Sequence, residues 1–305
     1  MTAYLVRRVL QAFAVVVLVT LIAFGLIRLA PGGAVAAVLG SGGTHQIFLA
    51  QYLSWVGRVL HGNLGFSTRL NQSVGSLLAA SLPQTLVLTG SSTLIALVVA
   101  IPVGLLQAVR RNSAVDHVLR GLTLVFYGMP PFVLGLVLVL FLAVDPPHLF
   151  GAEGPQAPGF VGVITDVRDL TLPVLTLTLI SIAIFARYMR SSAMDALAQE
   201  YVEAARARGA GQRRVVTAHV LRNSLVPVVT LVGLSFPQIV GGALVVESVF
   251  NIRGMGWQIW QAAQNHDFVV TLGFTLVIAV AAAVGSLLAD VGYAVLDPRV
   301  RHGQA

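Results

Sequence analysis

The chain has 305 residues, 56% hydrophobic and only 10% charged. Soluble domains carry roughly 25% charge, so this composition, with a mean hydropathy of +0.85, excludes a water-soluble globule and makes lipid the solvent for most of the chain. All 19 basic residues are Arg and the formal charge is +7; in so apolar a chain that excess points to membrane topology, not nucleic acid, and the absence of Cys excludes disulfides, thiolate metal sites and Cys nucleophiles.

Val9 to Leu29 is the first long apolar run, preceded by Arg7 and Arg8. A signal-peptide core is about 7–15 residues. This run is nearer the roughly 20 that a span needs, so a retained span is predicted, with the N-terminus in the cytoplasm. Arg28 closes it, on a stem long enough to snorkel to the interface. Residues 1–30 thus form a first unit. Residues 31–85 read as an ordered extracytoplasmic segment in which Gln51 to Leu60 is patterned, and Tyr52 and Trp55 predict an interfacial helix.

Residues 86–305 read as the core, with five more spans and the loop at 191–224. The second is Leu86 to Val109, bent at Pro102 and Gly104. Gly121 to Val144 is the third, and its GMPPF segment predicts a broken or kinked start. A loop rich in Pro, Gly and acids follows, then Leu170 to Met189. The fifth span, Leu225 to Val246, is interrupted by Pro227 and Pro237, and the sixth is Val269 to Leu296. Arg110, Arg111, Arg120, Arg187, Arg190 and Arg222 then share the cytoplasmic side, while the outer side holds only Arg58, Arg69, Arg168 and Arg253. That asymmetry predicts an all-α polytopic protein with six spans and both termini cytoplasmic.

One polar stretch breaks the apolar text. Residues 199–215 read QEYVEAARARGAGQRRV, within a loop at 191–224. Gln199 to Arg208 has high helix propensity. Glu200 and Glu203 lie toward its start and Arg206 and Arg208 toward its end, as the helix dipole favours. Glu203 and Arg206 form an i, i+3 pair. Gly209 stands where a left-handed C-cap ends the helix. Ala204 and Ala205 predict a flat surface that a partner backbone approaches closely. The plainer alternative is a loop helix lying on its own membrane domain.

Glu203-Ala204-Ala205, three residues and then Gly209 resemble the EAA loop of ABC-importer permeases. Flanking stretches resemble the B-type membrane subunit of the dipeptide/oligopeptide (peptide/nickel) importers: GNLGFS, LPQTLVL, PPFVLGLVL, ARYMRSSAMDAL, RNSLVPVVTLVGL, VVESVFNIRGMG and the terminal LDPR. Two positions depart from the pattern: His219 to Arg222 stand where an Ile-x-Leu-Pro is usual, and Gly33 where relatives often carry Asp.

The resemblance implies a type I ABC-importer permease, non-catalytic, in the bacterial cytoplasmic membrane. It implies a heterodimer with a homologous second permease, one or two ABC ATPase subunits below it and an extracytoplasmic substrate-binding protein. Glu200, Tyr201, Glu203, Ala204, Ala205, Arg206, Arg208 and Gly209 become the ATPase-coupling residues. No cofactor is implied for this chain. A Walker A needs a Lys, and the chain has none, so ATP and Mg belong to the partner ATPase. Within the same family the cargo is alternatively haem, nickel or another small solute.

Four further residues are candidates for a pathway or gate. Ser235 and Gln238 lie in the fifth span, where close packing about Gly241 and Gly242 explains them equally well. Glu247 opens the ESVF block, to fix the outer loop or to gate. Asp290 is an acid inside the sixth span, a functional candidate by default, with a structural hydrogen bond as the plainer reading. The seven His show no metal spacing, and no nucleophile–base pair indicates a hydrolase. A self-sufficient secondary transporter is the rival of another class. It calls for an inverted repeat and an ion site at the midplane, and neither is read here.

Overall fold

A computed structural model describes residues 2–29, 47–144, 150–157 and 159–296. The start of the outer segment, with Gly33, and the C-terminal tail lie outside the described residues. Helices dominate. Among the described residues five are long and apolar enough to cross a bilayer, and a bent pair supplies a sixth crossing when taken as one span.

Helix α1 (Thr2–Leu29) begins seven residues before the expected run. Helix α2 (Phe48–Leu60) lies against it. Tyr52 and Trp55 are both buried, and their rings pack on Phe24. The Tyr52 and Thr20 hydroxyls share a hydrogen bond of 2.9 Å, which satisfies both in an apolar setting. A short antiparallel hairpin, β1 (Phe66–Ser67) with β2 (Gln72–Ser73), follows. Ser67 donates to the Asp267 carboxylate, tying this hairpin to the start of the last helix.

Helix α3 (Val74–Val109) begins well before the expected second span and runs unbroken through Pro83 and Pro102. Its buried Ala96 and Ala100 pack with Ala186 and Phe185 of α7 (Val167–Leu197). At Gly104 the two helices approach closely. A Cβ there would stand 2.7 Å from both the Ala186 carbonyl oxygen and the Met189 Cβ. Lipid gives helices no hydrophobic reason to associate, so small residues that permit dense packing carry the contact.

The third span is not one straight helix. Helix α4 (Ala114–Gly128) ends at Met129, and α5 (Pro131–Val139) leaves at 105°, passing into a π-helical turn, Leu140–Val144. Pro130 and Pro131 cause the break: neither supplies an N–H, and Pro131 holds Pro130 out of the α region. A short helix, α6 (Gly159–Thr165), leads into α7.

After α7 come the loop helix α8 (Glu200–Ala207), a turn at Gln212–Arg214 and a π-helical stretch, Val215–Val220. The fifth span is then built in pieces: α9 (Leu221–Leu234), α10 (Phe236–Gly241) and α11 (Leu244–Val249). Pro237 stands at the first break, as expected, and Gly242 at φ +91° makes the second. Pro227 lies inside α9 without interrupting it. Helix α12 (Met255–Gln264) follows, and α13 (Phe268–Leu296) completes the bundle. Helices α9 and α13 touch at Gly233 and Gly285, where a Cβ on either would meet the other's carbonyl oxygen at 2.7 or 2.5 Å.

Arg8 of α1 lies 3.1 Å from Asp290 of α13, an ion pair and not an aligned hydrogen bond. The pair puts the start of α1 and the end of α13 at one face of the bundle.

Candidate functional site

Helix α8 is short, and tertiary contacts hold it. Its Val202 and Ala205 are fully buried in a small cluster with Ala108, Ala193, Ala196, Val215 and Val220. Tyr201 accepts a hydrogen bond of 2.8 Å from the Asn223 side chain, which pins the start of the helix to α9. The end is closed by a Schellman motif. Gly209 N–H donates to the Arg206 carbonyl at 2.9 Å and Ala210 N–H to that of Ala205 at 3.1 Å, with Gly209 at φ +83°. Ala210 packs against the cluster that holds Ala205, the apolar contact that accompanies this motif.

This geometry corrects the expectation for Ala205. It does not face a partner; it is 3% exposed and seats the helix on its own domain. The open face carries Glu200, Glu203, Ala204, Arg206 and Arg208. Tyr201 is partly open, with its hydroxyl used internally. The result is a rigid helix with a small apolar centre at Ala204, acids at its start and Arg at its end.

The chain just before α8 is fixed by a contact that sequence reading missed. Arg190, near the end of α7, meets Asp116 of α4 with two bonds, Nε to Oδ1 at 3.0 Å and Nη2 to Oδ2 at 2.9 Å. Asp116 also accepts from Asn112 N–H at 3.1 Å. Ser113 caps α4 by accepting from Asp116 N–H at 3.3 Å. The only sequence signal was that cap pattern, Ser113-x-x-Asp116.

The other candidates separate. Glu247 is fully buried and ties α3, α11 and α12 together. Thr85 donates to its Oε1 at 2.8 Å, Trp257 N–H to its Oε2 at 2.8 Å, and Met255 N–H to the Thr85 hydroxyl at 2.7 Å. These bonds fasten the start of α12 to α3 and α11. Gly242 makes room: a Cβ there would stand 2.4 Å from Glu247 Oε1. Asp290 pairs with Arg8. Ser235 and Gln238 are brought together, facing a hollow of about 140 Å³ with Thr93 and Ser181. A larger cleft of about 1160 Å³ opens beside α8, lined by Asp195, Glu200, Tyr201, His219, Arg222 and Asn223.

A loop helix seated at the Arg-rich end of a broken-helix bundle defines a class, and comparison with known proteins agrees. The family described as binding-protein-dependent transport system inner membrane component matches residues 100–302. The chain belongs to this family of ABC-importer permeases and is a multi-pass inner-membrane component. It is 34% identical to the oligopeptide transport system permease protein AppB of Bacillus subtilis, over 99% of this chain and 100% of that one. It is 31% identical to the dipeptide transport system permease protein DppB of Escherichia coli K12, over 99% of both. A chain from the inward-facing structure of the MetNI methionine ABC transporter has the same fold. That match has a TM-score of 0.55 and 19% identity and covers 70% of this chain and 93% of that one.

Proposed function

We propose that this chain is the B-type permease subunit of an ATP-driven importer of di- and oligopeptides, and that α8 is its coupling helix. The observation that carries the coupling role is the split in α8: Val202 and Ala205 anchor it while Glu203, Ala204, Arg206 and Arg208 stay open. A helix built in this way transmits motion as a solid body, because its own cluster, its cap and the Tyr201–Asn223 bond leave it no independent freedom. The peptide cargo is supported by the full-length likeness to AppB and DppB.

In this reading the Arg-rich end, with both termini, faces the cytoplasm. A homologous second permease completes the path as a heterodimer, one or two ATPase subunits take the open face of α8, and a binding protein delivers peptide outside. ATP and Mg are bound by the ATPase, and this chain has no catalytic step and no cofactor of its own. Closure of the ATPase pair moves α8, and with it α7 and α9, between two packings of the bundle.

The test is isolation of tagged protein from its native membrane in mild detergent, followed by reconstitution. A second permease, an ATPase and a peptide-binding protein are expected to co-purify and to import dipeptide only with ATP. Solute movement by this chain alone would contradict the reading.

A further inference from the structure

Two hollows follow one another along a single pair of helices. The small one lies between Leu177–Phe185 of α7 and Leu231–Ile239 of the fifth span, and the large cleft between Ser192–Gln199 and Ala218–Pro227. On α7, Leu177, Ser181 and Ile184 line the first and Ser192 and Asp195 the second. Their spacings of three, four and eight residues are close to whole helical turns, so they share one helix face. The face extends about 21 Å from Ser181 to Asp195 at 1.5 Å per residue.

The chemistry changes along it. The large cleft holds Asp195, Glu200 and Arg222, whereas no residue lining the small hollow is ionisable. Its polar groups are hydroxyls and the Gln238 amide. The hydroxyl protons of Thr93, Ser92 and Ser235 are already used: Thr93 and Ser92 donate to the Thr89 carbonyl at 2.7 and 2.9 Å, and Ser235 to the Leu231 carbonyl at 2.8 Å. A hydroxyl has one proton and two lone pairs, so what these groups still offer is acceptors. Gln238 is exposed on the same wall. Hydrocarbon is a poor neighbour for such a group, while the next face of α3 carries exposed Leu94 and Val98, which suit it well.

We infer that this groove is this chain's half of the solute path. Its small hollow is a subsite that accepts hydrogen bonds from N–H groups of the solute without reading charge on its side chains. The inference rests on the peptide-importer reading, since a peptide offers such donors in its main-chain amides and its terminal ammonium.

The complete importer, with both permeases, ATPase and binding protein in proteoliposomes, gives two readouts. The chain lacks Cys, so single replacements report cleanly. Ser181→Cys, Ser235→Cys and Gln238→Cys are expected to react with a water-soluble methanethiosulfonate at least tenfold faster than Leu94→Cys or Leu18→Cys. Equal rates would overturn the groove as a path, whatever the cargo. The second readout is uptake of a dipeptide against its N-methylated-amide and N-acetylated analogues, with the same binding protein throughout. In Thr93→Val/Ser235→Ala the preference for the N–H form is expected to fall roughly two- to tenfold, the worth of one neutral hydrogen bond. A fall only against the N-methyl analogue places the amide in the hollow, and a fall only against the N-acetyl analogue places the ammonium. An unchanged preference against both would overturn the subsite. Fast groove labelling in a complex that imports no peptide would overturn the peptide reading and the subsite with it, and leave the path standing.

Discussion

Arg190 and Asp116, 74 positions apart in sequence, meet as a fork, with 3.0 and 2.9 Å bonds closing the end of α7 onto the start of α4. Asp116 is inaccessible to solvent, and Arg190 keeps 17% of its side-chain surface open. The pair stands just before α8, so whatever displaces α8 also loads this fork. Asp116→Asn and Arg190→Lys are expected to lower stability in detergent by about 2 kcal/mol, because each leaves a buried charged or polar group short of a partner. Asp116→Leu/Arg190→Met, which removes both partners, is expected to recover most of the loss. Thermal denaturation of the three variants checks this, and a double variant worse than either single one would contradict it.

Arg8 and Asp290 make the contrasting case. Their side chains keep 39% and 21% of their surface open. A pair so exposed is worth about 0–1 kcal/mol. Asp290→Asn is expected to change the melting temperature little and to leave ATP-dependent uptake within about twofold of wild type. Loss of uptake without loss of stability would return Asp290 to the list of pathway residues.

The Glu247 fastener depends on one hydroxyl that both donates and accepts. Thr85→Val removes the bond to Glu247 and the acceptor for Met255 N–H. A cost of about 1–3 kcal/mol is expected, with earlier proteolytic cleavage within residues 250–257, whereas Thr85→Ser is expected to stay near wild type. Equal behaviour of Val and Ser at this position would contradict the account.

Gly209 has open space around its Cα but a φ of +83°. The penalty for a side chain there is one of backbone conformation, about 1 kcal/mol for Ala and more for a β-branched residue. Peptide-stimulated ATPase activity is expected to fall in the order Gly209→Asn, Gly209→Ala, Gly209→Val, since Asn tolerates the left-handed region best. A fall that tracked side-chain volume alone would point to a steric contact in place of the cap.

The spans, the loop helix and its cap were legible because each is local: an apolar run, dipole-matched charges, a Gly at the right step. The bend between α4 and α5 was legible as a break at GMPPF, but not as 105°, because two prolines fix where a helix stops and neighbours fix where the next one goes. The fasteners were illegible for a different reason. Thr85 sits in LPQTLVL and Glu247 in VVESVF, both noticed as blocks, yet 162 residues separate them and no periodicity joins them. Asp116 hid in a turn where the Arg residues drew attention. Ala205 was misread because a small residue on a helix marks a close contact without saying with what. Here the contact is with Val215 and Val220 of the same chain.

Ala204 and Ala205 are adjacent, yet one is exposed and the other buried, which makes α8 the sharpest place to examine the account. A photoactivatable benzophenone attached at Ala204→Cys, in the intact complex, reports what lies against the open face. The account predicts a covalent product with the ATPase subunit, in a variant that folds normally. Cross-linking only to lipid, to the second permease or within this chain would contradict the claim that α8 couples this permease to its ATPase.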